Sequence, residues 1–235
     1  MGPGLNLAIF DVDGTLTDTN DVDSRCYFDA LWKEFNVAAP ANRFHHFTSS
    51  TNLGILHEVF ETQFERTPQA HEIESFLTRL LSCLELEGHA KPSDFQEIVG
   101  AKDMLDILVA HAGWRVAIAT GAFSESARLK LKKAGLTAED IPIASCEDAM
   151  QRTDILRAVI KMAERHYGVS SFERVVFIAD AEWDVIAAKT LQMPFIGVHN
   201  EKKEELEKMG VGHVVADYTD AERMLRLLLA AVPPR

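Results

Sequence analysis

The chain has 235 residues, 24 Lys and Arg against 36 Asp and Glu, a formal net charge of −12, and 47% hydrophobic residues. That is too long and too apolar for a disordered chain, and enough for one large α/β domain or a core with a smaller insert. The acidic balance argues against gripping nucleic acid or an anionic membrane, because neither polyanion is attracted by such a field, and it leaves small anionic substrates open if a cation reverses the sign locally.

Leu5–Phe10 is a short apolar run ending in acid and Gly, the pattern of a buried strand. From Asp21 to Cys83 the spacing turns helical, with Tyr27, Phe28, Leu31 and Phe35, then Leu53, Leu56, Val59 and Phe60, then Ile73, Phe76, Leu77, Leu80 and Leu84 on successive apolar faces. Gly and Pro across Glu87–Ser93 predict a linker. Beyond it the chain alternates: helix Ala101–His111, strand Val116–Thr120, helix Phe123–Ala134 stopped by Gly135, strand Ile141–Ser145. An amphipathic helix follows through Ile155, Val159, Ala163 and Tyr167. Then come strand Val175–Ala179, helix Val185–Leu191 and strand Phe195–Val198. Asn200 can cap a charged helix that Gly210 stops. Val214–Ala216 is the last strand, and Thr219 to Glu222 has capping-box spacing before a Leu-rich helix.

Strand–helix alternation with Val/Ile-rich strands predicts a doubly wound parallel sheet with helices on both faces. The helical block, residues 18–93, interrupts that alternation, so the expected organisation is an α/β core of residues 1–17 and 94–235 with an inserted all-helical cap. It leaves the end of the first strand, where open α/β sheets bind ligands, so a lid is the sharper reading and a decorative insertion the blander one. Cys26, Cys83 and Cys146 form no CxxC or Cys/His cluster, which supports neither a disulfide framework nor a zinc site and fits a reducing, cytoplasmic compartment. No run approaches the ~18 apolar residues of a membrane span, and the first residues have no signal- or transit-peptide pattern.

Ligands of such a sheet sit beyond the carboxyl ends of its strands. The first strand delivers Asp11-Val12-Asp13-Gly14-Thr15 there, the second Thr120-Gly121, and the Val175–Ala179 strand Asp180 with Asp184 four residues on. Any one Asp after a strand is accounted for as a helix cap or turn residue. Their joint occurrence is not. Residues i and i+2 of an extended chain point the same way, so Asp11 and Asp13 can face one pocket. Two carboxylates ~4 Å apart repel by about 4 kcal/mol at an effective dielectric of ~20. With Asp180 and Asp184 added, a shared proton or a hard cation is required, and an all-oxygen ligand set suits Mg²⁺. Thr15 could orient a neighbouring acid.

Asp11-Val12-Asp13-Gly14-Thr15 resembles the DxDGT signature of the haloacid dehalogenase superfamily, in its phosphatase branch. Val116–Thr120 resembles the second motif of that family, Asp180-Ala181-Glu182-Trp183-Asp184 the fourth, and the helical block its cap. The resemblance covers nearly the whole chain. It implies a Rossmann-like fold and an Mg²⁺-dependent phosphatase acting on a small-molecule phosphate ester through an aspartyl-phosphate. Asp11 would be the nucleophile, and Asp13 would protonate the leaving group and then activate water. Asp11, the Asp13 carbonyl and Asp180 would hold the metal, Asp184 would support that site or the basic residue, and Thr120 and the Gly121 amide would bind phosphoryl oxygens.

Two departures stand out. Ala179 replaces the usual Gly before Asp180, and no GKPxPD segment supplies the third-motif Lys. Arg152, 28 residues upstream of Asp180, occupies the matching place and is expected to supply the positive charge to the phosphoryl group. Lys130 and Lys132 compete for that role but are expected to face solvent. The polar stretch with His45, His46, Thr48 and Asn52 is either where the cap selects substrate or a solvated loop; Arg43 is expected at the surface and Trp183 under the loop. A phosphomutase resembling β-phosphoglucomutase would share every core residue. A phospho-accepting signalling domain fits less well, being shorter and without the helical block.

Overall fold

Six strands form one parallel sheet in the order β3-β2-β1-β4-β5-β6: β1 Asn6–Phe10, β2 Trp114–Ala119, β3 Ile143–Ala144, β4 Arg174–Ala179, β5 Phe195–Val198 and β6 Val214–Val215. The computed structural model describes residues 4–111, 113–199 and 202–235. β1 is central because all five of its residues pair on both sides, Phe10 with Ile118 of β2 and with Ile178 of β4. Its apolar run has no polar alternation, as expected of a strand buried on both faces. β3 is shorter than the sequence suggested. Pro142 has no N–H to give, and its carbonyl alone pairs, with the Ile118 amide.

Alternate residues of each strand feed two cores. Ala8, Phe10, Val116, Ile118, Val176 and Ile178 meet α4 (Ala101–Ala110), α5 (Ser124–Lys133) and α9 (Ala221–Ala230). Leu7, Ile9, Ala117, Ala119, Phe177 and Ala179 meet α6 (Arg152–Tyr167), α7 (Glu182–Leu191) and α8 (Lys203–Lys208). The doubly wound α/β architecture is therefore as the sequence indicated. Asp220 rather than Thr219 caps α9, its side chain accepting from the Arg223 amide. The expected cap Asn200 lies outside the described residues.

The helices α1 (Asn20–Phe35), α2 (Asn52–Phe64) and α3 (Ala70–Ala90) share a third core of Tyr27, Phe28, Leu31, Leu56, Phe60, Phe76 and Leu80. Phe95, Phe123 and Cys146 join it from the α/β layer, so this helical layer is seated on the sheet's helices by apolar packing. α3 does not break at Glu87 but runs to Ala90. Gly88 lies inside it, and the Lys133 side chain crosses that position on its way to Glu85 (2.8 Å). A 3-10 turn, Pro92–Phe95, then returns the chain toward the sheet. Among the described residues no helix is long and apolar enough to cross a membrane.

Candidate active site

The strand order reverses across β1 and β4, the position at which a doubly wound sheet opens a crevice at its carboxyl edge. Asp11 follows β1, Thr120 follows β2 and Asp180 follows β4, and all three line one cavity of about 60 Å³ together with Asp13, Gly121 and Arg152. Phe44, Ser49, Asn52 and Ile55 of the helical layer close it from above, and Trp183 from the side. A larger cavity of about 410 Å³ shares Asn20, Phe44, Asp180 and Trp183 with it and is lined further by Arg43, His45 and Lys202.

The loop after β1 turns back on Val12, whose carbonyl accepts from the Thr15, Leu16 and Thr17 amides. Gly14 takes φ +76° there, and a Cβ at that position would collide with the Asp180 carboxylate and the Asn20 amide. Asp180 is thereby brought close under the turn. Thr15 Oγ1 donates to its Oδ1 (3.2 Å) and Asn20 Nδ2 to its Oδ2 (3.1 Å).

Asp11, Asp180 and Asp184 are buried, with carboxylate oxygens all within 4.8 Å of one another. Burial is the first cause that raises each to about 7. Arg152 opposes the rise at all three, and neighbouring acids add to it. Asp184 Oδ2 is buried without a hydrogen-bond partner. Three crowded carboxylates, one of them with a free oxygen, beside a single guanidinium make an all-oxygen set that fits a hard divalent cation.

Arg152, the first residue of α6, points into the site. Its Nη1 lies 2.8 Å from Asp184 Oδ1 and 3.5 Å from Asp11 Oδ1, its Nε reaches the Ser50 carbonyl (3.4 Å), and its guanidinium sits 5.9 Å from the Trp183 ring centre. Burial alone would lower its pKa; Asp184 and Asp11 more than offset this and hold it above its ordinary value.

Lys130 is not solvent-facing as its charge suggested. It is fully buried, with Nζ 2.6 Å from both Asp13 Oδ2 and Asp23 Oδ1. Its position gave a signal: it lies between Ala127 and Leu131 on the inward face of α5, where the helical period asks for an apolar residue. Lys132 is exposed, as expected. Asp13 receives Thr19 Oγ1 on its other oxygen at 2.6 Å. Its side chain is therefore turned to Lys130 and Thr19 rather than to the Asp11–Asp180–Asp184 cluster.

Trp183 lines both cavities instead of packing beneath the loop, and its Nε1 is buried without a partner. Asn52 reaches the smaller cavity; its backbone N–H donates to the Gly121 carbonyl (2.8 Å), while its side-chain Nδ2 makes no hydrogen bond of full geometry and lies near enough to the Asp23 carboxylate to offset part of the rise that burial gives its pKa. Ser49 Oγ, in the same wall, makes no hydrogen bond either. His45 lines only the larger cavity and lies 3.3 Å from Glu182. His46 and Thr48 line neither; Thr48 is occupied with Glu58 through its N–H (3.0 Å) and Oγ1 (2.9 Å). Arg43 donates to Ser24 Oγ at 3.2 Å.

Among solved structures, a hydrolase from Pseudomonas syringae aligns with a TM-score of 0.68 at 24% identity, covering 94% of this chain and 98% of its own. CbbY from Rhodobacter sphaeroides, solved in complex with phosphate, aligns at 0.67 and 18% identity over 92% and 96%. A putative β-phosphoglucomutase from Bacteroides vulgatus aligns at 0.64 and 16% identity over 97% and 90%. These are similarities of fold. No curated protein matches significantly. The model of the family described as haloacid dehalogenase-like hydrolase matches residues 5–191, from the first strand to the end of α7. With the greater part of its length so matched, the chain belongs to the haloacid dehalogenase-like hydrolases and is an enzyme.

Proposed function

We propose that this enzyme is an Mg²⁺-dependent phosphatase that hydrolyses a small-molecule phosphate monoester through an aspartyl-phosphate on Asp11. The observation that carries the reading is the meeting of Asp11 with Asp180, Asp184 and the guanidinium of Arg152 over one cavity at the switch point of the sheet. Asp11, Asp180 and the Asp13 carbonyl would hold the ion, with Asp184 beside them. Bound Mg²⁺ would supply neutralisation of phosphoryl charge. Asp11 attacks phosphorus and the ester oxygen leaves. Arg152, held by Asp184, faces the charge that spreads over the phosphoryl oxygens. Thr120 and the Gly121 amide orient those oxygens. Asp13 gives a proton to the leaving oxygen and later takes one from the water that cleaves the phosphoenzyme. Residues 18–93 act as a cap over a core of residues 1–17 and 94–235.

The cap side of the cavity suits a neutral leaving group. Arg152 is the one basic residue lining the cavity among the described residues, against Asp11, Asp13, Asp23 and Asp180 in the same lining. Residues 18–94 carry 6 basic and 13 acidic side chains. The Asn52 amide and Trp183 indole can only donate through their free N–H groups, so they ask for hydroxyl or carbonyl oxygens on the substrate.

The test is release of inorganic phosphate from 4-nitrophenyl phosphate by purified protein. Activity should require Mg²⁺ and vanish with chelator, and Asp11→Asn should abolish both turnover and ³²P-labelled phosphoenzyme, because an amide is no nucleophile. Full activity in chelator would remove the metal from the proposal, and turnover by Asp11→Asn would remove the nucleophile.

A further inference from the structure

An ammonium group with no exposed surface requires partners, and Lys130 has two that lie in different layers of the molecule. Asp13 follows β1, and its side chain keeps 16% of its surface open on the cavity. Asp23 is on α1, the first helix of the upper layer, with 6% of its side chain exposed. Lys130 itself has no exposed surface and does not line the cavity, so with the helical layer seated it touches Asp13 and not the cavity. From this we infer that Lys130 is a positioning residue for the acid–base Asp13, and that Asp23 ties that positioning to helix α1.

The geometry gives each oxygen of Asp13 a fixed donor: Thr19 Oγ1 holds Oδ1 and Lys130 Nζ holds Oδ2, both at 2.6 Å. A carboxyl clamped on both oxygens has little rotational freedom, so the face that it turns to the leaving oxygen is set before substrate arrives. Asp23 provides the second seat that keeps the ammonium in place while Asp13 exchanges a proton with the leaving group or with water. Lys130 has three donors, and these two carboxylates use two of them. Because α1 carries Asp23, a shift of the helical layer away from the sheet removes one of the two anchors, and Asp13 is correctly aimed only with that layer seated. Arg152 makes a parallel link, from Asp11 and Asp184 to the Ser50 carbonyl, so each acid after β1 has a cation that also touches the upper layer.

This inference rests on the phosphatase reading, and the experiment separates the two. For a series of aryl and alkyl phosphates from 4-nitrophenyl to benzyl phosphate, the dependence of kcat/KM on leaving-group basicity reports how much the acid contributes. 4-Nitrophenolate leaves without a proton, whereas benzyl alkoxide does not. Asp13→Asn is the reference and should steepen the dependence. Asp23→Asn and Lys130→Met should steepen it in the same sense, lowering benzyl relative to 4-nitrophenyl phosphate by at least about 10-fold, out of the ~10²–10⁴ that general acid catalysis is worth. Lys130→Arg should recover part of the ratio. Parallel losses across the series in Asp23→Asn, or none, would overturn the inference, because a merely structural bridge lowers all substrates alike. Asp23→Asn keeps the volume and an acceptor oxygen, so it decides the matter even where Lys130→Met does not fold. If Asp13→Asn itself leaves the dependence unchanged, the acid–base reading falls and the inference with it.

Discussion

Arg152 is where this chain departs from the family signature, and its surroundings argue for a specific cost of removal. The entering phosphoryl group and Asp11 are both negative, and the buried Asp180 and Asp184 beside it add to that field. Arg152→Ala should lower kcat/KM for 4-nitrophenyl phosphate by at least ~10²-fold, the scale of one preorganised electrostatic donor. Arg152→Lys should recover only part, because an ammonium cannot span Asp184, Asp11 and the Ser50 carbonyl as a planar fork does. Near-normal kinetics in Arg152→Ala would place the compensating charge elsewhere. This residue could be found in the sequence because it opens a helix at a countable distance from Asp180. Lys130 was harder, since a lysine reads as solvated until its partners are known, and both partners are remote in sequence, at separations of 117 and 107 residues. Trp183 shows a related limit: a large aromatic in a loop-to-helix turn reads as packing under the loop, and the cavity wall that it forms depends on Phe44 and Asn20, which are remote in sequence.

At the level of elements, apolar continuity made β1, β2, β4 and β5 readable, and the DxDGT turn fixed where the first of them ends. The stretch between α1 and α2 has no period to read. Its position follows instead from contacts with the α/β layer: the Asn52 amide on the Gly121 carbonyl and Thr51 Oγ1 on the Met150 carbonyl, both at 2.8 Å. That seating brings Asn52 and Ser49 into the cavity wall while His46 and Thr48 stay outside it. Of the polar residues in this stretch, Asn52 should therefore govern selection, together with Trp183 opposite. Asn52→Leu and Trp183→Phe each delete a free N–H while keeping most of the volume. A site built to bond a hydroxyl discriminates strongly against the analogue without one. In both variants the kcat/KM ratio of glycerol 3-phosphate to propyl phosphate should fall at least ~10-fold from its wild-type value. A ratio unchanged by either substitution would mean that these donors do not read the leaving group.

For the whole molecule, the buried acids set a dependence of stability on pH that runs opposite to that of its surface carboxylates. Glu34, Glu58, Glu72 and Glu85 are held below the usual carboxylate value by hydrogen bonds and ion pairs, with Glu72 at about 2. Their contribution is present above the unfolded value of 4.5 and is lost only as pH falls below it. Asp11, Asp180 and Asp184 stand at about 7 against an unfolded value of 3.8, chiefly through burial. A raised carboxyl binds its proton more tightly in the folded state, so its contribution is complete below 3.8 and is lost as pH rises through about 7. Between pH 5 and pH 8 the surface carboxylates are already ionised and the site dominates. In chelator, the urea midpoint should therefore fall from pH 5 to pH 8. Mg²⁺ binds the ionised form, so it should restore stability at pH 8 and do little at pH 5, by about 2.7 kcal/mol at a hundredfold excess over its dissociation constant. A midpoint in chelator that is flat or rising over this range would show that the three carboxylates are not destabilised by their burial. Equal stabilisation by Mg²⁺ at both pH values would place the ion away from them.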